Sequence, residues 1–117
     1  MSEAINLAAK LASFDQKWSP RTVATFNGHD VMVVKVEGEF NWHSHPDTDD
    51  FFLVLQGEIE IRLRDRVVEL KVGEIFVIPK GVEHCPVARK EAHLLLIEPT
   101  GTPNTGDATT AAGRKLI

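Results

Sequence analysis

His43 and His45 are separated by one residue, and Asp50 follows five residues after His45. In an extended chain alternate side chains share a face, so the two imidazoles would project the same way, about 7 Å apart along the backbone. Imidazole nitrogens and carboxylate oxygens are the donors that transition metals accept. Two same-facing histidines can converge on one ion, and a carboxylate shortly downstream can come round to the same point. His84 lies just beyond Pro79-Lys80-Gly81. Proline and glycine favour a tight turn there, which would bring a third imidazole in from a neighbouring strand. Each residue alone also has an ordinary explanation. A strand histidine is commonly a hydrogen-bonded structural residue, and Asp50, like Asp49, could simply open the apolar run that follows.

The elements that would position these residues are mostly strands. Ala4–Phe14 carries Leu7, Leu11 and Phe14 at helical spacing and predicts a short amphipathic helix. From Thr22 onward the texture is β. Val31–Val36, Phe51–Leu55, Glu58–Arg64, Arg66–Leu70, Glu74–Ile78, Glu83–Ala88 and His93–Glu98 are short apolar or alternating runs separated by turn residues. That pattern predicts an all-β barrel or double sheet. Glu58–Arg64 alternates strictly, with Ile59, Ile61 and Leu63 against Glu58, Glu60, Arg62 and Arg64, as a strand with one wet face does. Phe51–Leu55, Ile75–Ile78 and Leu94–Ile97 are apolar on both faces and need cover on both. One short helix is too small for that, so a homodimer packed sheet to sheet is expected, the alternative being terminal segments folded back over the sheet. Phe40 and Trp42 would join that outer surface. Phe52, Val54 and Ile59 would line the interior with the histidines.

Composition narrows the classes of function. The chain has 117 residues, 43% of them hydrophobic, enough for one globular domain. Thirteen basic against seventeen acidic residues leave a net charge of −4, which disfavours a nucleic-acid partner. No apolar run reaches the ~18 residues of a membrane span. Met1–Phe14 lacks the basic start and long apolar centre of a secretory leader. The single Cys85 excludes an intrachain disulfide. A cytoplasmic location is expected. His29, after Asn27-Gly28, reads as an exposed turn residue. His93 reads as the start of a strand outside the pocket, and Cys85 as a packed thiol facing away from His84.

Two stretches carry a resemblance to a known family. The first cupin motif is a glycine, five residues, His-x-His, three or four residues, a glutamate, six residues and a glycine. Gly38, His43, His45, Asp50 and Gly57 follow it. The second is a glycine, five residues, Pro-x-Gly, two residues, a histidine, three residues and an asparagine. Gly73, Pro79, Gly81 and His84 follow that. The chain therefore resembles a small single-domain cupin, and its wording is similar to the mannose-6-phosphate-isomerase-like group. The resemblance implies an all-β cupin double-stranded β-helix, or jelly-roll, barrel over 21–99. A helical arm over 1–20 would precede it and a C-terminal loop or arm over 100–117 would follow.

The resemblance also implies one divalent transition metal per chain held by His43, His45, Asp50 and His84. The donors do not choose among Zn, Fe, Mn, Ni and Cu. It implies a small-molecule ligand or substrate, with dioxygenase and isomerase as the reaction types it admits. The alternatives are a non-catalytic ligand-binding or sensor module and a dimeric scaffold with a vestigial metal site. No catalytic residue beyond the ligands stands out. Three departures from the pattern bear on this. Only four residues separate Gly38 from His43, Asp50 replaces a glutamate one methylene longer, and Ala88 stands at the asparagine place. Asp50 could ligate directly, act through a water, or leave three imidazoles alone.

Overall fold

A computed structural model describes residues 3–107 and 115–117. The helix α1 spans Leu7–Leu11 only. Asn6 caps it by accepting from the Ala9 amide at 2.9 Å. It is shorter than the Ala4–Phe14 pattern because the chain turns at Ser13, whose amide and hydroxyl both bond the Lys10 carbonyl. Phe14 is buried outside the helix, beneath the Arg21 guanidinium at 4.5 Å from its ring centroid.

Among the described residues eight strands follow: β1 Arg21–Phe26, β2 His29–Glu39, β3 Asp50–Gln56, β4 Glu58–Leu63, β5 Val67–Lys71, β6 Ile75–Ile78, β7 His84–Pro99 and β8 Lys115–Leu116. Asn27-Gly28 joins β1 to β2 with both residues at positive φ (50° and 75°). That is the backbone of a two-residue hairpin turn, and Asn-Gly is its best sequence. The hydrogen-bonded order is β5-β4-β7-β2-β1-β8, with β3 bonded to β6 and β7. The ladder ends at β5, β6 and β8, so the jelly roll wraps its interior without closing into a continuous barrel.

The long strand β7 corrects the expectation of two strands, Glu83–Ala88 and His93–Glu98. The exposed Arg89, Lys90 and Glu91 look like a break, but pairing with β2 continues on both sides of them, Ala88 with Gly38 and Ala92 with Val36. A register shift between Val36 and Gly38 absorbs the irregularity. β7 pairs with β4 through its first residues and with β3 through its last, so it ties the two layers together.

Inside lies one apolar cluster that includes Met32, Val34, Val36, Phe52, Val54, Ile59, Ile61, Leu94 and Leu96. Phe52, Val54 and Ile59 face inward as the alternation predicts. The opposite face of β2 packs Val33 against Leu11, Phe14 and Val23. The helix covers only that end. Farther along, Ile75 and Val77 are 55% and 44% exposed. Gly57 sits between β3 and β4 at φ 79°, and a β-carbon there would lie 3.1 Å from both the Ala92 side chain and the Glu91 carbonyl. We predict that Gly57→Ala lowers stability by about 1–3 kcal/mol through left-handed strain and this close approach. A urea midpoint equal to the wild type would refute that.

Candidate metal centre

His43 and His45 do not lie on a regular strand, contrary to the alternation argument. They sit in the irregular connection between β2 and β3, which backbone hydrogen bonds hold in place. His43 and His84 exchange a pair, N–H to carbonyl at 3.0 Å one way and 2.9 Å the other. The Gly81 amide donates to the His45 carbonyl at 2.8 Å. The Lys80 amide donates to the Asp49 carboxylate at 2.9 Å. The turn before β7 is thus stitched onto the loop carrying the first two histidines. Asp50, the first residue of β3, pairs with Ile78 immediately before that turn.

The result is one compact tetrad. Among the described residues, His43, His45, Asp50 and His84 form the group whose donor atoms all lie within 4.8 Å of one another. Asp50 Oδ2 is 2.9 Å from His84 Nε2 and 3.3 Å from His45 Nε2. His45, Asp50 and His84 are buried, and His43 is half-buried. The Nδ1 atoms of His43 and His84 lie 2.8 and 2.9 Å from the carbonyl oxygens of Asn41 and Val82. A carbonyl can only accept, so each Nδ1 carries a proton, and Nε2 is the nitrogen that faces the centre. Three imidazoles and one carboxylate fit a divalent transition ion by donor type and number.

The electrostatics suit ligation as well. Burial lowers the His43 pKa to about 4, against an opposing hydrogen bond to Asn41 and with added repulsion from His84 and His45. The ring is therefore neutral, as a ligand must be. Burial pushes the Asp50 carboxyl up, but the hydrogen bonds from His45 and His84 outweigh it and hold the group well below the usual carboxylate range.

Beside the tetrad is a small pocket walled by Trp18, Phe40, Val36, Phe52, Leu94 and Leu96, which His43, Asp50, Glu98 and Asn104 also reach. Its free volume is about 40 Å³. Phe40 belongs to this wall rather than to the outer surface: it stacks on Trp18 at 4.7 Å between centroids and meets His43 edge-on at 5.3 Å. Trp42 does face outward, with the Arg64 guanidinium 3.8 Å over its ring.

The other candidates lie elsewhere. His29 opens β2, half-buried, with Nδ1 on the Asn27 carbonyl. His93 faces the outer surface and bonds Glu91 at 2.7 Å. Cys85 is fully buried with Sγ 3.4 Å from the Phe40 carbonyl, and burial together with Glu39 pushes its thiol pKa up. Sequence reasoning missed Trp18, Glu98 and Asn104. They are distant in the chain and match no motif, and only the inward phase of β7 hinted at Glu98.

Comparison with known proteins agrees with the fold. The profile of the Cupin domain family matches residues 30–98. A cupin-2 domain containing protein of Shewanella frigidimarina is 49% identical, with a TM-score of 0.80 over 81% of this chain and 93% of that one. The uncharacterised protein YdbB of Bacillus subtilis is 36% identical over 72% of this chain and 75% of its own length. The 3-hydroxyanthranilate 3,4-dioxygenase of Brucella anthropi is 30% identical over 71% of this chain, which spans 50% of that enzyme.

The burial of His43 has a consequence for stability. The unfolded imidazole takes a proton near pH 6.5, and the folded one only near about 4. Protons thus favour the unfolded chain between those values, and stability falls as pH drops through them. The Asp50 contribution is kept there, because its own loss lies at lower pH still. Chelator-treated protein should lose about 1 kcal/mol between pH 7 and pH 5 through this group, after allowance for the ring's partial exposure. Urea titrations of wild type and His43→Gln check it: the variant should lose correspondingly less, and equal losses would remove burial of His43 as the cause.

Proposed function

This chain belongs to the cupin family, and from that premise we propose that its tetrad holds one divalent transition metal serving oxygen chemistry on a small hydroxylated ring. The observation that carries the reading is the convergence of His43, His45, Asp50 and His84 within 4.8 Å beside an aromatic-walled pocket. Four protein ligands on a six-coordinate ion leave two positions open. A metal there would supply Lewis acidity toward a ring hydroxyl and, where redox-active, electrons for dioxygen. The chain's own residues do the rest. Asn41 and Val82 fix the ring tautomers, while Phe40, Trp18 and Phe52 give a flat substrate a face to stack on and exclude water. The 3-hydroxyanthranilate dioxygenase relative supports a dioxygenase over an isomerase. A non-catalytic ligand-binding module is the second reading, favoured by the small free volume beside the tetrad.

Metal analysis of untagged protein reconstituted with Fe(II) should find about one ion per chain. His45→Ala should abolish most of it and His29→Ala should not; equal losses would mean that the ligands are wrongly assigned. Dioxygen uptake with catechols, hydroquinones and aminophenols then separates the readings. Uptake that needs both iron and one of these rings supports the dioxygenase, and binding without uptake supports the binding module.

We also propose a homodimer formed through the outer face of β3, β6 and β7. Register sets Phe51 beside Val77 and Ile97, and Leu53 beside Ile75 and Leu95. These six side chains form a contiguous apolar face away from the core, of the kind that marks an interface. Light scattering should give the mass of two 13.0 kDa chains for the wild type and of one for Ile75→Lys. A monomeric wild type would exclude this interface.

A further inference from the structure

The chain does not leave the site after β7. Thr100 is anchored at the base of the β1–β2 hairpin, its amide on the Gly28 carbonyl at 3.1 Å and its hydroxyl on Asp30 at 3.0 Å. Residues 102–106 then make two tight turns, Thr102 amide to Pro99 carbonyl and Gly106 amide to Pro103 carbonyl. This short segment reaches the tetrad at two points. Asn104 donates to the Trp18 carbonyl at 3.5 Å and lines the pocket beside His43 and Asp50. Gly106, at φ 76°, packs directly on the backbone of Ser44, the residue between the first two histidines. A β-carbon at Gly106 would overlap the Ser44 carbonyl oxygen.

Volume turns this placement into a functional statement. With the segment in place the pocket offers about 40 Å³. An apolar cavity that takes benzene measures about 150 Å³. The pocket as it stands therefore does not hold a whole ring. Most of the neighbouring walls are strand residues held in the ladders of β2, β3 and β7, with Trp18, Pro20 and Phe40 added from connecting segments, whereas residues 100–107 belong to no strand. The segment is the part of the enclosure that can move at least cost.

We propose that residues 100–107 form a strap that closes the metal pocket, with Gly106 as its latch on Ser44 and Asn104 as the polar residue it presents to the bound molecule. The proposal rests on the reading of the tetrad as a ligand-binding metal centre, and it adds the route of entry and a residue that determines specificity. Asn104, with both a donor and an acceptor in its amide, would select rings bearing a polar substituent on the side that meets the strap. Gly106 would be required because another residue there could not seat the strap.

Two measurements on Gly106→Ala test the latch. In the cobalt(II)-loaded protein, the rate of cobalt loss to excess EDTA, followed by visible absorption, should rise about fivefold or more at unchanged stoichiometry, as expected where left-handed strain and overlap oppose closure. In a Trp42→Phe background, acrylamide quenching of Trp18 fluorescence should rise about twofold as the strap lifts from the Trp18 carbonyl. The second measurement needs no metal, so the strap is tested even if the wild type proves unable to hold cobalt and the metal reading fails. Unchanged cobalt loss together with unchanged quenching would overturn the strap. So would global unfolding of the variant, because the contact would then be building the fold instead of covering it. For Asn104→Ala, 4-nitrocatechol titrated into the cobalt protein should bind at least about threefold more weakly with cobalt content unchanged. Equal affinity would remove Asn104 as a specificity residue.

Discussion

The site depends on a few backbone hydrogen bonds between two segments some forty residues apart in the chain. The reciprocal pair between His43 and His84, and the Gly81 amide on the His45 carbonyl, hold an otherwise irregular loop against the start of a strand. Ordering such a loop costs about 1–2 kcal/mol per residue in backbone entropy. The cost is carried by the ladders on either side, by the Asp49 carboxylate that anchors the Lys80 amide, and by burial of His45 and His84. The tetrad is preorganised in this way: its imidazoles already face one another. The same bonds leave the Nδ1 atoms of His43 and His84 beside backbone carbonyls, so one arrangement sets position and tautomer together.

The strand that begins at His84 connects this site to the rest of the fold. Its first residues pair with β4 and its last with β3, while β2 runs beside it along most of its length. The side chain of His84 enters the tetrad at one end. At the other end, Leu94, Leu96 and Glu98 reach the pocket beside it. One strand therefore contributes both a proposed ligand and part of the wall a bound molecule would touch. The side chains between these ends that point inward, such as Ala88 and Ala92, are small and fully buried, which lets the two layers come together where the strand bends.

Much of this was legible in the sequence, though not always for the right reason. The strands were evident from alternation and β-branching, and Asn27-Gly28 and Gly57 marked turns because their backbones need positive φ. His43 and His45 were expected to share a face as strand neighbours. They do converge, but through hydrogen bonds of an irregular loop, which single-residue periodicity cannot express. The solvated Arg89–Glu91 stretch hid the continuity of β7, because exposure breaks the apolar pattern without breaking the ladder. Phe40 was misplaced for a related reason: inward and outward phase cannot be carried through a segment that is not extended. The contact of Gly106 with Ser44 links residues 62 positions apart through backbone alone and leaves no side-chain signature.

The departures from the cupin pattern acquire a physical meaning in the structure. Aspartate at position 50 is one methylene short, yet its Oδ2 already lies between two imidazole nitrogens, 2.9 Å from one and 3.3 Å from the other. The loop thus holds the shorter acid within reach of both rings. Alanine at position 88 lies in the apolar cluster, with no exposed surface. A polar side chain buried in that cluster would need a hydrogen-bond partner that apolar neighbours do not offer. The pocket beside the tetrad is likewise walled mostly by apolar side chains. In such surroundings the attraction between a divalent ion and the Asp50 carboxylate is screened less than it would be in water. The neutral His43 ring needs no proton removed in order to bind. In the proposed metal-bound state a single short carboxylate would provide the charge that three neutral imidazoles lack, and its burial would make that one charge more effective.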